Sequence, residues 1–333
     1  MISNALRDAY GRTAVDLRVS LTDKCNLRCT YCMPAEGLAW LPHGEVLTDD
    51  EVIRLITIGV TRLGIREVRF TGGEPLIRPG LCDIIAATAD MDPRPNISMT
   101  TNGIGLTRLA KPLAEAGLDR INVSLDTLDP ERFRQISRRD RHSEVIDGIA
   151  AAAEAGLEPV KINAVLMRGI NDDEAVTLLK FALTYGYEMR FIEQMPLDAG
   201  HTWSREAMVT ADEIMEQLST SYVLRPDPAH RGAAPAETFL VDGYAGAKVG
   251  IIASVTRPFC GDCDRTRLTA DGQVRSCLFS RDESDLRGAL RGGKSDAEIA
   301  EQWQVAMAAK LPGHAINDPG FLQPSRPMSA IGG

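Results

Sequence analysis

The chain has 333 residues, 44% hydrophobic and 25% charged, proportions that exclude a disordered, fibrous or disulfide-scaffold class. Its 37 Lys and Arg against 46 Asp and Glu leave a formal net charge of −9, which excludes a general nucleic-acid binder but not a local cationic pocket. No apolar run approaches the ~18 residues of a membrane span and no secretory core precedes Tyr10, so a cytoplasmic protein with reduced cysteines is expected.

In chain order, Leu17, Val19 and Leu21 alternate with Asp16, Arg18 and Ser20, which predicts a strand with one polar face. Thr48-Asp-Asp-Glu51 is a capping box opening a helix that Gly64 ends. Similar stops at Gly117, Gly156 and Gly186 each precede a new strand pattern. Five further strands are expected at 67–71, 96–100, 120–125, 160–165 and 188–192, alternating with helices. Such alternation implies parallel pairing through crossovers, and six units fall short of a closed eight-stranded barrel. The expected fold is therefore α/β, a partial (β/α)6 TIM-like barrel, with a C-terminal extension. A boundary is placed in the Pro-, Gly- and Ala-rich stretch 225–236, giving a core of 1–225 and a second domain of 226–333. Strands at 238–241 and 249–253 and a hairpin turning at Asp271-Gly272 follow, and the proline-rich end reads as a mobile tail.

Two cysteine sets carry the chemistry. Cys25, Cys29 and Cys32 stand as CxxxCxxC directly after the first strand, and Cys260, Cys263 and Cys277 form a second set folded by the hairpin. Each set offers three thiols, which suits an iron-sulfur cluster with one open iron or, alternatively, a structural zinc lacking an evident fourth ligand. Cys82 reads as a packed side chain, and the histidines at 43, 142, 201, 230 and 314 show no paired ligand spacing. Arg18 and Arg69 sit on polar strand faces, where they either line a cavity or pair with carboxylates.

With Tyr31 before its last cysteine, and with Thr71-Gly-Gly-Glu-Pro75 after the second strand, the first set resembles the radical S-adenosylmethionine (SAM) superfamily. In Asp16 to Cys25, Cys32-Met-Pro34, Thr71 to Arg78, Thr100 to Gly103, Asn122 to Asp126, Phe259 to Leu268 and Gly332-Gly333, the chain resembles the branch that cyclises GTP for molybdenum cofactor biosynthesis. That resemblance implies two 4Fe-4S clusters, one on each cysteine set, and SAM held by Tyr31, Gly73, Ser124 and Met195. It implies GTP contacts from Arg18, Arg69, Thr100, Lys161, Arg265, Thr266 and Arg267, with Arg18, Arg265 and Arg267 catalytic. Glu74 is expected to accept from the SAM ammonium. The implied reaction is hydrogen removal from C3′ of GTP by a 5′-deoxyadenosyl radical, then closure onto C8 of the guanine. Implied partners are an electron donor, a downstream cyclic pyranopterin monophosphate synthase and a homodimer mate, with neither nucleic acid nor membrane. A radical SAM enzyme acting on a peptide or other small molecule, and a non-enzymatic iron-sulfur or zinc module, are the competing readings.

Overall fold

A computed structural model describes residues 5–332. Its centre is six adjacent parallel strands: β1 (Asp16–Ser20), β2 (Glu67–Thr71), β3 (Asn96–Thr101), β4 (Arg120–Ser124), β5 (Lys161–Val165) and β6 (Glu188–Ile192). All six expected strands are present, with ends shifted by a residue or so. Crossovers carry helices α1 (Asp49–Leu63), α2 (Leu81–Ala89), α3 (Leu106–Glu115), α4 (Pro130–Ser137), α5 (His142–Glu154) and α6 (Ala175–Tyr185). The capping box of α1 forms as expected, and Gly64 ends the helix at φ 79°, a conformation that costs glycine little.

Strand alternation separates two faces. Leu17, Val19, Val68, Phe70, Ile97, Met99, Ile121, Val123, Ile162, Met189 and Phe191 are all buried in the main core. The intervening Asp16, Arg18, Arg69, Ser98, Asn122, Lys161 and Arg190 lie on the other face, because side chains alternate along a strand. One face of the same six strands thus makes a core and the other a polar concavity.

The C-terminal third extends this sheet at both edges. On one side β9 (Lys248–Ile252) pairs parallel with β6, followed outward by antiparallel β8 (Glu237–Val241) and β7 (Leu224–Pro226). On the other, β10 (Arg265–Leu268) pairs parallel with β1, followed by β11 (Gln273–Arg275) and β12 (Ser284–Asp285). The result is one 12-stranded sheet in the order β12-β11-β10-β1-β2-β3-β4-β5-β6-β9-β8-β7, whose two ends do not pair with each other. The stretch 225–236 spans the end of β7 and the connection from it to β8, and the two strands pair at Pro226 and Phe239. The expected hairpin turns at Gly272, φ 76°. Helices α7 (Ala211–Ser219), α8 (Leu286–Arg291) and α9 (Asp296–Ala308) complete the packing.

The expected mobile tail is instead packed. Residues Met328–Ile331 form a short helix, α10, with Ser329 and Ile331 buried, and the Met328 amide donates to the Leu197 carbonyl at 3.0 Å. Ile331 joins Leu197, Met208, Val255, Phe279 and Ile316 in a second small core. Prolines there set an irregular path; the apolar residues between them still have surface to bury. Gly333 lies outside the described residues.

Candidate active site

The cysteine loop leaves β1 at the C-terminal end of the parallel strands, where α/β folds gather their sites. Its backbone is clamped from outside: Arg28 and Thr30 amides donate to the Ser137 and Ile136 carbonyls at 3.0 and 2.9 Å. Arg138 donates to the Arg28 and Met33 carbonyls at 3.1 and 2.9 Å. From the adjacent strand, the Gly73 amide donates to the Thr22 carbonyl at 2.7 Å and the Glu74 amide to the Lys24 carbonyl at 2.8 Å. A Cβ on Gly73 would lie 2.2 Å from the Lys24 oxygen, and one on Gly72 would lie 2.4 Å from the Thr22 oxygen. Both glycines are needed for the two loops to lie edge to edge.

Glu74 does something other than expected. It is fully buried and accepts from Thr101 Oγ1 at 2.7 Å, the Asn102 amide at 2.7 Å and the Leu76 amide at 2.9 Å, while burial pushes its carboxyl up to about 7. With its oxygens committed to the loop after β3, it braces three turns together, and an ammonium partner for it is withdrawn.

A cavity of about 240 Å³ opens beneath the cysteine loop, lined among others by Cys25, Cys29, Cys32, Tyr31, Gly73, Thr100, Ser124 and Met195. These expected residues, from loops and strand ends far apart in sequence, therefore meet in one space. Burial, then Cys25, pushes Cys32 up to about 12, and burial followed by Asp126, Cys32 and Cys25 holds Cys29 well above its ordinary value. Three such sulfurs become thiolates together only with positive charge among them, which is what the irons of a cluster provide. The donor set, three thiols, fits a cluster with one open iron better than a four-ligand structural zinc.

Asp126 and Ser329 are among the residues of this cavity that were not singled out from the sequence. Asp126 is buried, accepts from Tyr31 Oη at 2.8 Å and the Val165 amide at 2.9 Å, and burial raises its carboxyl to about 6. Ser329, from α10, also lines it. Asp126 stands in the quoted motif Asn122 to Asp126, whose last residue was the available signal.

A second cavity of about 80 Å³ is lined by Cys260, Cys263, Cys277, Arg265, Arg267, His314, Phe279 and, again, Met195. Met195 is thus common to both cavities. The Cys260 carbonyl is tied by Arg12 at 2.6 Å from an N-terminal ribbon that pairs Leu6–Arg7 with Thr13–Ala14. His314 rests on the Ser254 carbonyl at 3.0 Å, while burial pushes its imidazole below the ordinary value.

The cationic residues form rows on the polar face. Arg267, Arg18, Arg69 and Ser98 are register partners on β10, β1, β2 and β3. Arg18 is chelated by Asp16 at 3.0 to 3.2 Å, so for it the ion-pair alternative holds. Arg18 heads the counter-charges that, against the cost of burial, bring Asp16 down to about 2. Arg69 donates to Ser98 Oγ at 3.1 Å. Lys161 and Arg190 both engage Glu188, at 2.9 Å each. Burial, then Arg18 and Arg265, pushes Arg267 below the ordinary guanidinium range, as expected where cations gather with too little anion between them. Arg18, Arg69 and Lys161 line neither cavity and sit deeper on the same face. Arg190 and Arg120, also on this face, were missed; polar alternation in β4 and β6 was the signal. Thr266 departs from expectation. It lies between two inward arginines, is fully buried on the outer face and accepts from Trp303 Nε1 at 3.0 Å, so its side chain is withdrawn from the substrate contacts.

Residues 19–182 match the Radical SAM superfamily and 187–316 match Molybdenum Cofactor Synthesis C. The crystal structure of Streptococcus suis SuiB superposes with a TM-score of 0.59 at 14% identity over 94% of this chain and 68% of that one, a likeness of fold. Fold and site together define a radical SAM protein. The chain is 62% identical over 332 residues to the GTP 3′,8-cyclase of Streptomyces coelicolor, covering 99% of this chain and 97% of that one. It is 59% identical to the Mycobacterium marinum enzyme of the same name, covering 98% and 92%. The chain belongs to the GTP 3′,8-cyclase family.

Proposed function

We propose that this chain converts GTP to (8S)-3′,8-cyclo-7,8-dihydroguanosine 5′-triphosphate in molybdenum cofactor biosynthesis, as a SAM-dependent radical lyase with two 4Fe-4S clusters. The observation that carries the reading is the row of guanidiniums Arg267, Arg18 and Arg69, buried at Arg267 and Arg18 and half-buried at Arg69, on the strand face that also bears two cavities each lined by three cysteines. Cys25, Cys29 and Cys32 would hold the first cluster, which with SAM would supply the radical chemistry for hydrogen removal from the nucleotide.

The remaining tasks fall to side chains of this chain. Tyr31, Gly73, Ser124 and Met195 hold SAM, with Asp126 fixing the Tyr31 hydroxyl. Arg18, Arg69, Lys161, Arg265 and Arg267 hold the triphosphate through charge-assisted hydrogen bonds, in a site where burial makes each contact stronger than in water. Thr100 stands at the cavity wall between the two ligands. Cys260, Cys263 and Cys277 would hold the second cluster, which would supply an open iron for the purine. Met195, shared by both cavities, and α10 exclude water from the space where radical and substrate meet. In this reading residues 1–225 supply the SAM core and 226–333 the second cluster, a one-electron donor starts each turnover, and a downstream pyranopterin-forming synthase takes the product.

The test is an anaerobic assay of reconstituted protein with SAM, GTP and reductant, analysed by mass spectrometry. Replacing Cys25, Cys29 and Cys32 by alanine should abolish 5′-deoxyadenosine formation, whereas replacing Cys260, Cys263 and Cys277 should leave uncoupled SAM cleavage and remove cyclisation. Equal loss of both activities in a folded variant of the second set would refute this division.

A further inference from the structure

Lys310 follows α9 and is only 4% exposed, yet among the described residues it has no carboxylate partner within salt-bridge distance. Its ammonium donates to the Arg265 carbonyl at 2.9 Å, the Cys263 carbonyl at 3.1 Å and the Cys263 sulfur at 3.3 Å. Those are the three donors an ammonium has, and the geometry consumes all of them. A buried cation needs a compensating negative charge. The one acceptor here able to carry a full negative charge is the Cys263 sulfur. Elsewhere in the two cysteine sets the side-chain donor to a sulfur is neutral: Asn102 Nδ2 lies 3.8 Å from Cys25. The second set is therefore treated differently from the first, and within it Cys263 is singled out.

We propose that Lys310 is a positioning and charge-tuning residue for the second cluster. It fixes the rotamer of Cys263 by gripping both the backbone and the sulfur of that residue, and it places a permanent positive charge against one corner of the cluster. Hydrogen bonds to ligand sulfurs and nearby charge are among the levers that set a cluster's reduction potential. The sign follows from Coulomb's law: a cation stabilises the more negative, reduced state and so raises the potential. Lys310 thereby holds the substrate-side cluster at a higher potential than its three cysteines alone would give. The inference rests on the reading of the second set as a cluster site.

The experiment uses the full-length chain with Cys25, Cys29 and Cys32 replaced by alanine, so that iron and the paramagnetic signal belong to the second set. In this background Lys310→Gln, Lys310→Met and Lys310→Arg are compared by iron content and by redox titration followed with electron paramagnetic resonance. Expected are potentials lowered in Lys310→Gln, lowered at least as far in Lys310→Met, and restored towards the parent in Lys310→Arg. Should Lys310→Met not fold, Lys310→Gln against Lys310→Arg decides. Loss of the cluster in Lys310→Gln with retention in Lys310→Arg also supports the role of charge, and loss in both overturns it. An unchanged potential in an iron-replete Lys310→Gln protein overturns the proposal and leaves Lys310 a packing residue. If the parent itself binds no iron, the cluster reading fails, and this inference with it.

Discussion

Arg267 joins substrate chemistry to fold architecture, because its guanidinium lies level with Arg18 and donates to the Gly332 carbonyl of the tail. Arg265, two residues earlier on the same face, is anchored by the Ala233 carbonyl at 2.8 Å and stacks over Phe259, which leaves its remaining donors for a ligand. Replacing either by alanine should weaken GTP binding or cyclisation by roughly one to two orders of magnitude, with iron content unchanged. Calorimetry with GTP and with uncharged guanosine checks this: an equal loss for both ligands would remove phosphate from the explanation. Asp126 makes a prediction about pH. Burial raises its carboxyl from 3.8 to about 6, so between those values the folded chain binds a proton that the unfolded chain does not. The group therefore costs stability as pH rises through that window, and the cost is complete above it. Asp126→Asn keeps an acceptor for the Val165 amide and leaves Tyr31 a partner. In cluster-free protein it should gain on the order of 2 to 3 kcal/mol relative to the parent between about pH 4 and pH 7. Urea unfolding at both pH values reads the difference; parallel profiles would place the charge elsewhere.

Among the structural elements, the loop after β2 is the one that decides whether the first cysteine set can form. Gly73→Ala pushes a methyl group into the Lys24 and Asp23 carbonyls, and backbone on both sides cannot yield as a flexible side chain would. Iron bound after anaerobic reconstitution should fall by about half, the second set being untouched. Full iron content in the variant would show that the two loops can separate without harm. The tail behaves as an element in its own right. Ser329 and Ile331 are buried, and a Cβ on Gly332 would lie 2.3 Å from Ser20 Oγ and 2.7 Å from Thr71 Cγ2, so Gly332 packs against the side chains at the ends of the paired strands β1 and β2.

For the molecule as a whole, the C-terminal third completes the sheet and cannot be removed from it cleanly. Residues beyond 225 supply β9 against β6 and β10 against β1, and without them both edges of the parallel core would present unpaired backbone groups. A fragment of residues 1–225 should therefore aggregate on expression, and size-exclusion chromatography with light scattering checks it. A monodisperse, iron-binding fragment would establish 1–225 as an autonomous domain. The same topology explains why a chain with a net charge of −9 carries a cationic interior. Arg18 and Arg69 are register partners on β1 and β2, and Arg267 joins them only because β10 returns to lie beside β1.

Strand alternation, the capping box at Thr48, the glycine stops and the two cysteine spacings were legible in the sequence, because each depends on residues a few positions apart and on a fixed local period. So were the six clustered cysteines, Tyr31, Gly73, Thr100, Ser124, Met195, Arg265 and Arg267 among the residues lining the two cavities, since they stand in or beside recognisable motifs. What stayed hidden depends on partners distant in the chain. Glu74 could be read as a ligand for SAM until Thr101 and Asn102 were seen to occupy its oxygens. Thr266 looked equivalent to its neighbouring arginines until β10 was placed against β1 and Trp303 behind it. The packed tail, the shared Met195 and the grip of Lys310 on Cys263 belong to the same kind. Local sequence sets backbone period and donor chemistry. Which face a side chain shares, and with whom, follows from long-range strand pairing and burial, which no short window of sequence contains.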